Sequence, residues 1–192
     1  MSGHRQDARV VTRRLVMRPL AQADAVAVEA LCGRDFEIVR WLTSPPWPYE
    51  AGSAEAYVRK ASAVPPLKGT GDFAITLGGV VIGVVAVNDD ETLPGEEGLP
   101  TLGYWVGRPF QGFGYAREAV GAICGWTFET RETPALAARV FTDNARSQRL
   151  LKALGFTERG RMTSFARPLA RERESIVMRC ERSAFAWPEA AA

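Results

Sequence analysis

Between Gly103 and Ala119 the chain reads Gly-Tyr-Trp-Val-Gly-Arg-Pro-Phe-Gln-Gly-Phe-Gly-Tyr-Ala-Arg-Glu-Ala, and this run narrows the available folds more than any other. Apolar Leu102 to Val106 predicts a strand. Pro109, Gly112 and Gly114 predict a turn, and Ala116, Ala119, Val120 and Ile123 then recur at helical spacing from about Gly114. Strand, glycine turn and helix in succession outline an anion site. Glycines let a backbone come close to a ligand, and the first N–H groups of a helix, at the positive end of its dipole, have no partner within the helix. A pyrophosphate suits such a cradle.

The spacing separates this run from two other phosphate loops. A Walker loop needs Gly-x-x-x-x-Gly-Lys-Ser/Thr, and no lysine follows these glycines; a dinucleotide fingerprint needs Gly-x-Gly-x-x-Gly, and Arg117 occupies the place of its third glycine. The segment instead resembles the acyl-CoA binding motif of the GNAT superfamily of N-acyltransferases, Gln/Arg-x-x-Gly-x-Gly/Ala, through Gln111, Gly114 and Ala116. The flanking Gly103-Tyr104-Trp105 and Arg117-Glu118-Ala119 are similar to the RimJ/RimL branch, whose members acetylate protein N-termini or small amines. Downstream, a short strand from Leu136 to Phe141 leads to Thr142-Asp143-Asn144-Ala145-Arg146-Ser147. An amphipathic helix with Leu150, Leu151 and Leu154 follows, closed by Gly155-Phe156. Each piece has an ordinary explanation: Asn144 as an N-cap, Ser147 as a first-turn residue, Gly155 as a C′ glycine. Their order and their distance from the glycine turn resemble the GNAT signature Asn-x-x-Ser followed by Gly-Phe.

A chain of 192 residues, 46% of them apolar, is long enough for one well-buried domain and short for two. The sequence divides into a flexible leader (1–11), an N-acetyltransferase domain (12–182) and a tail (183–192). A net charge of +2 exerts no general pull toward nucleic acid or anionic membrane. Cys32, Cys124 and Cys180 are scattered among apolar neighbours, which suits buried free thiols better than disulfides or a metal site. The polar start carries no signal-peptide core, and no run approaches the roughly 18 apolar residues of a membrane span. These features predict a cytoplasmic protein. His4 is the only histidine and sits in the leader, which excludes a histidine-based triad or metal site unless the leader folds back. A general base would have to be a carboxylate, a tyrosine or water.

Along the rest of the chain, Thr12 to Leu20 reads as an edge-accessible strand with Arg13, Arg14 and Arg18 on solvated faces, and Gln22 to Leu31 as a helix. Phe36 to Tyr49 is rich in aromatic residues and proline; Asp35 to Leu42 forms a short helix, and another starts near Ser53. Phe73, Ile75 and Leu77 alternate, Gly78-Gly79 makes a tight turn, and Val80 to Val87 returns as a strand. Asn88 to Pro100 is acidic and turn-rich. It is a solvated loop or a source of a carboxylate at a cleft mouth. Beyond Phe156 a last hairpin carries many arginines, and Phe185 and Trp187 in the tail either pack back on the domain or make a homodimer contact.

The resemblance implies an α/β (α+β) fold: one mixed, twisted, mostly antiparallel sheet of about seven strands flanked by about four helices. Its fourth and fifth strands, Leu102 to Val106 and Leu136 to Phe141, would splay apart around acetyl-CoA, the co-substrate. Pyrophosphate would sit on the amides of Gly112, Phe113, Gly114, Tyr115 and Ala116, next to Gln111. Pantetheine would run along Val106 and Gly107, and Arg108 or Arg117 would add a charge-assisted contact. A neutral amine would attack the thioester directly, which requires positioning, stabilisation of an oxyanion and a proton for the departing thiolate. Ser147, followed by Tyr104 and Tyr115, is the candidate to protonate the sulfur, with Asn144 orienting the pantetheine arm. Trp41, Trp47, Tyr49 and Trp105 would wall an amine acceptor with an apolar or peptide-like body, a small molecule or a protein N-terminus, or else the tryptophans simply cap the core. No metal, nucleic acid or membrane is implied. Many relatives carry a glutamate two residues before the Gly-Tyr-Trp, and Thr101 stands there instead. Asp89, through water, is one substitute, and entry of the amine already neutral is another. Three readings follow: an N-acetyltransferase, a CoA-binding regulatory module with little turnover, and a structural partner whose glycine turn binds nothing.

Overall fold

The structure is a computed structural model and describes residues 8–63, 66, 69–89 and 93–187. Its strands are β1 (Val10–Val11), β2 (Leu15–Pro19), β3 (Gly71–Leu77), β4 (Val80–Asn88), β5 (Thr101–Val106), β6 (Ala135–Phe141), β7 (Thr157–Ala166) and β8 (Arg171–Glu181). They form a single 8-stranded sheet in the order β1-β2-β3-β4-β5-β6-β8-β7. Every neighbouring pair is antiparallel except β5 with β6. The helices are α1 (Ala25–Val28), prolonged by a π turn at Glu29–Gly33, then α2 (Phe36–Val39), α3 (Ser53–Ala63), α4 (Tyr115–Thr130) and α5 (Ala145–Ala153). The mixed sheet and flanking helices are as the sequence implies. The additional strand is β1, which pairs through Val10 and Val11 with Met17 and Val16, so β2 is not an edge.

Two-residue alternation divides the apolar side chains between the faces of the sheet. Met17, Phe73, Ile75, Val85, Leu102 and Val106 meet Ala119, Val120, Ile123 and Cys124 of α4 and Leu151 of α5 in the main core. Ala74 and Val84 on the opposite face pack with Val28 of α1 and Ala54 and Val58 of α3. Each large apolar side chain fully buried this way contributes about 1.5–3 kcal/mol relative to exposure. All three cysteines are buried free thiols. Phe185 lies 5.3 Å from Phe128, and the Trp187 ring lies where a Cβ on Gly121 would stand, so the described part of the tail packs on α4. The described residues include no helix long and apolar enough to cross a membrane.

The functional consequence of the topology lies at its single parallel pair. β5 and β6 are paired only at Thr101 with Ala137 and Leu102 with Ala138. β5 stays with β4 through Val106. Gly83 on β4 makes that close approach feasible, since a Cβ there would lie 2.3 Å from the Trp105 carbonyl oxygen. A register shift between Ile75 and Thr76 adds local twist beside it. Beyond Leu102, β5 and β6 diverge.

Two arginines assigned by sequence to solvated faces also carry ion pairs. Arg18 forms a two-pronged pair with the buried Asp24 carboxylate, both bonds at 2.7 Å. Arg14 crosses to α4, as described below. The acidic segment is also not a simple solvated loop: Glu96 is buried and paired with Arg179 at 3.2 Å. Asp90 and Glu91, like His4, lie outside the described residues.

Candidate active site

The divergence opens a cavity of about 1210 Å³ that runs from the turn before α4, past the free edge of β5, to α1 and α2 on the far face. Gly107 N–H donates to the Ile82 carbonyl on β4 at 2.9 Å. By alternation the polar groups of Trp105 also face β4, whereas those of Tyr104 and Val106 face the gap. Gln111 donates through Nε2 to the Val106 carbonyl at 2.8 Å, and its Oε1 accepts from Arg146 on α5. The motif glutamine therefore ties the turn to both walls.

The turn is built for close approach. Pro109 starts a short 3-10 turn at Arg108–Phe110, and Gly112 (φ +89°) and Gly114 (φ +82°) then take left-handed conformations that a side chain would strain. Gly114 is the N-cap of α4. A Cβ on Gly112 would meet nothing within 4 Å, so the backbone there is open to close approach. Arg14 braces it from outside: Nη1 donates to the Phe113 carbonyl at 2.9 Å, Nε donates to Glu118 at 2.7 Å, and the guanidinium lies 4.7 Å from the Tyr115 ring centre. Glu118 also accepts from the Thr12 hydroxyl at 2.6 Å and the Arg14 amide at 3.0 Å. Burial alone would raise the Glu118 pKa; these hydrogen bonds outweigh it and hold the carboxyl below its usual range.

Tyr104 and Ser147 meet across the gap, with hydroxyl oxygens 2.7 Å apart and either able to donate. Burial pushes the Tyr104 phenol up to about 12, against an opposing contribution from Ser147. Asn144 performs its ordinary N-cap task, its side-chain oxygen accepting from the Ser147 amide at 3.1 Å, and this sets the direction of Ser147. Both residues line the cavity.

The other sequence-predicted residues divide clearly. Val106, Arg108, Gln111, Gly112, Gly114, Tyr115, Ala116 and Arg117 line the cavity on the turn side, and Trp41, Tyr49 and Trp105 on the far side. Gly107 is buried beneath Leu31, and Phe113 offers its carbonyl to Arg14 while its ring is exposed. Trp47 lies off the wall, packed 5.1 Å from Phe36, because the proline-rich segment folds it back onto α2. The Arg108 guanidinium pairs with Asp35 at the N-cap of α2 and is not directed at the glycine turn. Thr101 is buried outside the cavity, and Asp89 pairs with Arg131 at the distant end of α4, at 2.9 Å. Asp89 is therefore not placed to act on a group bound in the cavity. Sequence reasoning missed Arg146 and Arg149 of α5, which add positive charge beside the turn, and Thr43, Arg139 and Ser175 on the far side. The one available signal was Arg139, a charge in the otherwise apolar run Leu136 to Phe141.

A sheet opened between two parallel strands, with a glycine-capped helix at one end of the opening, is the architecture of an acyl-transferring enzyme. The sequence pattern of the acetyltransferase (GNAT) domain family matches residues 14–157, and the chain belongs to that family. It is therefore an acyltransferase. The acetyltransferase from Agrobacterium tumefaciens str. C58 is 26% identical, with a TM-score of 0.73 over 95% of this chain and 99% of that one. The Mycobacterium smegmatis RimJ structure in complex with CoA-disulfide shares the fold at 19% identity, with a TM-score of 0.70 over 88% of this chain and 82% of that one. The ribosomal-protein-S5-alanine acetyltransferase of Vibrio fischeri does so at 16% identity, with a TM-score of 0.75 over 94% and 100%. No curated protein sequence matches.

Proposed function

We propose that the protein is an N-acetyltransferase that moves the acetyl group of acetyl-CoA to a primary amine by direct attack in a ternary complex. The observation that carries this reading is the Tyr104–Ser147 pair, which stands in the gap between β5 and β6 beside the open turn at Gly112 and Gly114. Phosphates would be held by the N-terminal amides of α4 with Arg117, Arg146 and Arg149 nearby. The gap-facing amide of Val106 would polarise the thioester carbonyl. As the amine nitrogen bonds to that carbon and the carbon–sulfur bond breaks, Tyr104, relayed or assisted by Ser147, gives its proton to the sulfur. The new ammonium loses a proton to water, and Tyr104 is reprotonated from solvent. In this reading the acceptor enters as free amine.

Trp41, Tyr49 and Trp105 favour an acceptor with an apolar body. Tyr49 rests against Gly33, where a Cβ would come within 2.5 Å of its ring, so this wall is firmly backed. The domain limits read from the sequence and a cytoplasmic setting accord with this role. The regulatory-module reading rests on Thr101 standing where many relatives carry a glutamate, and the Tyr104–Ser147 pair in the gap supports turnover over it. The experiment is release of CoA thiol from acetyl-CoA across a panel of primary amines. Turnover with at least one amine supports the enzyme reading; acetyl-CoA binding with no release across the panel favours the module.

A further inference from the structure

Attack on a thioester needs a neutral amine, whereas a simple primary amine in neutral water is an ammonium. The cavity presents one group placed to take that proton. Among its lining residues only Glu37 and Asp143 carry carboxylates. Asp143 stands just before α5 and is paired with Arg173, whose guanidinium lies 4.4 Å from the Phe141 ring centre. Glu37 belongs to the far side, where Ile38, Trp41 and Leu42 line the cavity beside it.

The start of α2 fixes this placement. Asp35 caps the helix and accepts from the Glu37 amide at 3.0 Å, and the amides of Val39 and Arg40 donate to the carbonyls of Asp35 and Phe36. Turns of the same kind continue to Leu42, so Glu37 and Trp41, four residues apart, are neighbours on one face. Among the described residues the only cation that reaches the Glu37 carboxylate is Arg40, on Oε2 at 3.4 Å, a long contact between two partly exposed side chains. Arg40 does not itself line the cavity; its guanidinium lies 5.0 Å from the Trp41 ring centre and 6.0 Å from that of Phe36. Glu37 Oε1 has no hydrogen-bond or ion-pair partner among the described residues. The cations that do line this side are engaged elsewhere: Arg108 pairs with Asp35, and Arg139 donates to the hydroxyls of Thr43 and Ser164.

Resting on the acetyltransferase reading above, we infer that Glu37 receives the ammonium group of the acceptor and takes its proton, and that the acceptor class is a basic primary amine on an apolar body. A carboxylate and an ammonium form a charge-assisted hydrogen bond, along which the proton moves. One N–H bond of the ammonium breaks and an O–H bond forms on Glu37. The nitrogen lone pair is then free for the thioester carbon, and Glu37, half-exposed, returns the proton to water. Trp41 and Trp105 take the apolar body.

The test uses two acceptors of nearly the same shape, phenethylamine and O-benzylhydroxylamine, of which only the first is an ammonium at neutral pH. CoA release above the uncatalysed rate is measured with wild type, Glu37→Gln and Glu37→Asp, and read as the ratio of kcat/KM for phenethylamine over O-benzylhydroxylamine. Comparing that ratio between proteins cancels the different reactivities of the two nucleophiles. Glu37→Gln should lower it roughly 10- to 100-fold, the effect of losing a charged hydrogen bond. Glu37→Asp keeps the charge but draws it back by one methylene, and should lower the ratio several-fold; it carries the test if Glu37→Gln proves unstable. A merely structural role would slow both acceptors alike, so an unchanged ratio in folded variants overturns the assignment. Wild-type turnover of O-benzylhydroxylamine alone overturns it too. Turnover of neither acceptor, with acetyl-CoA still raising the melting temperature, overturns the acceptor class and leaves the acetyltransferase reading standing. No acetyl-CoA shift at all overturns that reading itself.

Discussion

Tyr104→Phe isolates the proton donor from the fold around it. The substitution keeps the ring and its packing in the main core and deletes one oxygen, 2.7 Å from Ser147 Oγ. Losing that hydrogen bond should cost about 1 kcal/mol of stability, because Ser147 is only partly buried and water can replace the partner. Losing a positioned general acid should lower kcat roughly 10²- to 10⁴-fold. KM for acetyl-CoA should change little, since Tyr104 is not among the groups that would hold the phosphates. Ser147→Ala removes the partner and leaves the phenol in place, so its kcat should fall less. Because burial pushes the phenol up to about 12, the donor stays protonated through the accessible range. The sign is that of an acid active when protonated: the wild-type kcat profile should show no alkaline limb from Tyr104 below about pH 10. The assay is steady-state thiol release at saturating acetyl-CoA, with circular dichroism to confirm folding. A folded Tyr104→Phe retaining more than half of wild-type kcat would falsify the assignment.

Glu118→Gln should loosen the brace on the glycine turn, costing about 1–2 kcal/mol after allowance for the solvent exposure of Arg14 and weakening acetyl-CoA binding several-fold by calorimetry. Since the folded-state pKa of Glu118 is depressed, its stabilisation is present above the unfolded value and lost as pH falls through the folded one. The melting-point gap between wild type and variant should therefore be full at neutral pH and close below about pH 4; a gap that widens in acid contradicts the brace. Arg182 donates to the carbonyls of Phe128, Arg131 and Thr133 at the C-terminal end of α4, so Arg182→Gln should cost about 1–2 kcal/mol in a urea titration and leave kcat unchanged. Trp47→Ala should lower the melting temperature through its Phe36 contact and leave acceptor KM alone; a raised KM would return Trp47 to the acceptor wall.

The order of elements was legible because each carries a local cause. Alternation marks β3 and β4, Gly78-Gly79 marks the turn between them, and glycine with proline marks the entry to α4. The divergence of β5 from β6 was not legible from local pattern and came only through resemblance, because it depends on which strand pairs last. Tyr104 and Ser147 were individually nameable, but their meeting depends on that divergence. Arg14 is exposed as expected, but its tie to Glu118 was not legible, because local pattern does not show which helix passes beside the start of a strand. Trp47 was left between acceptor wall and core cap because proline marks where a helix stops without giving the direction of the chain afterwards. Ser175 gave no signal, since a serine in a strand next to arginines and glutamates reads as surface.

The central claim is that the open turn at Gly112 and Gly114 receives acetyl-CoA, and thermal melting with and without it tests this most directly. A ligand that binds only the folded state, at about 100 times its dissociation constant, adds roughly 2.7 kcal/mol, or about 5–10 °C for a chain of this size. Wild type should shift by that amount. Gly114→Trp, measured against its own ligand-free melting point, should not shift, because a side chain at this left-handed position strains the turn and crowds the Arg14 brace, displacing the amides that would hold the ligand. A wild-type shift near zero, or an equal shift in both proteins, would contradict the account.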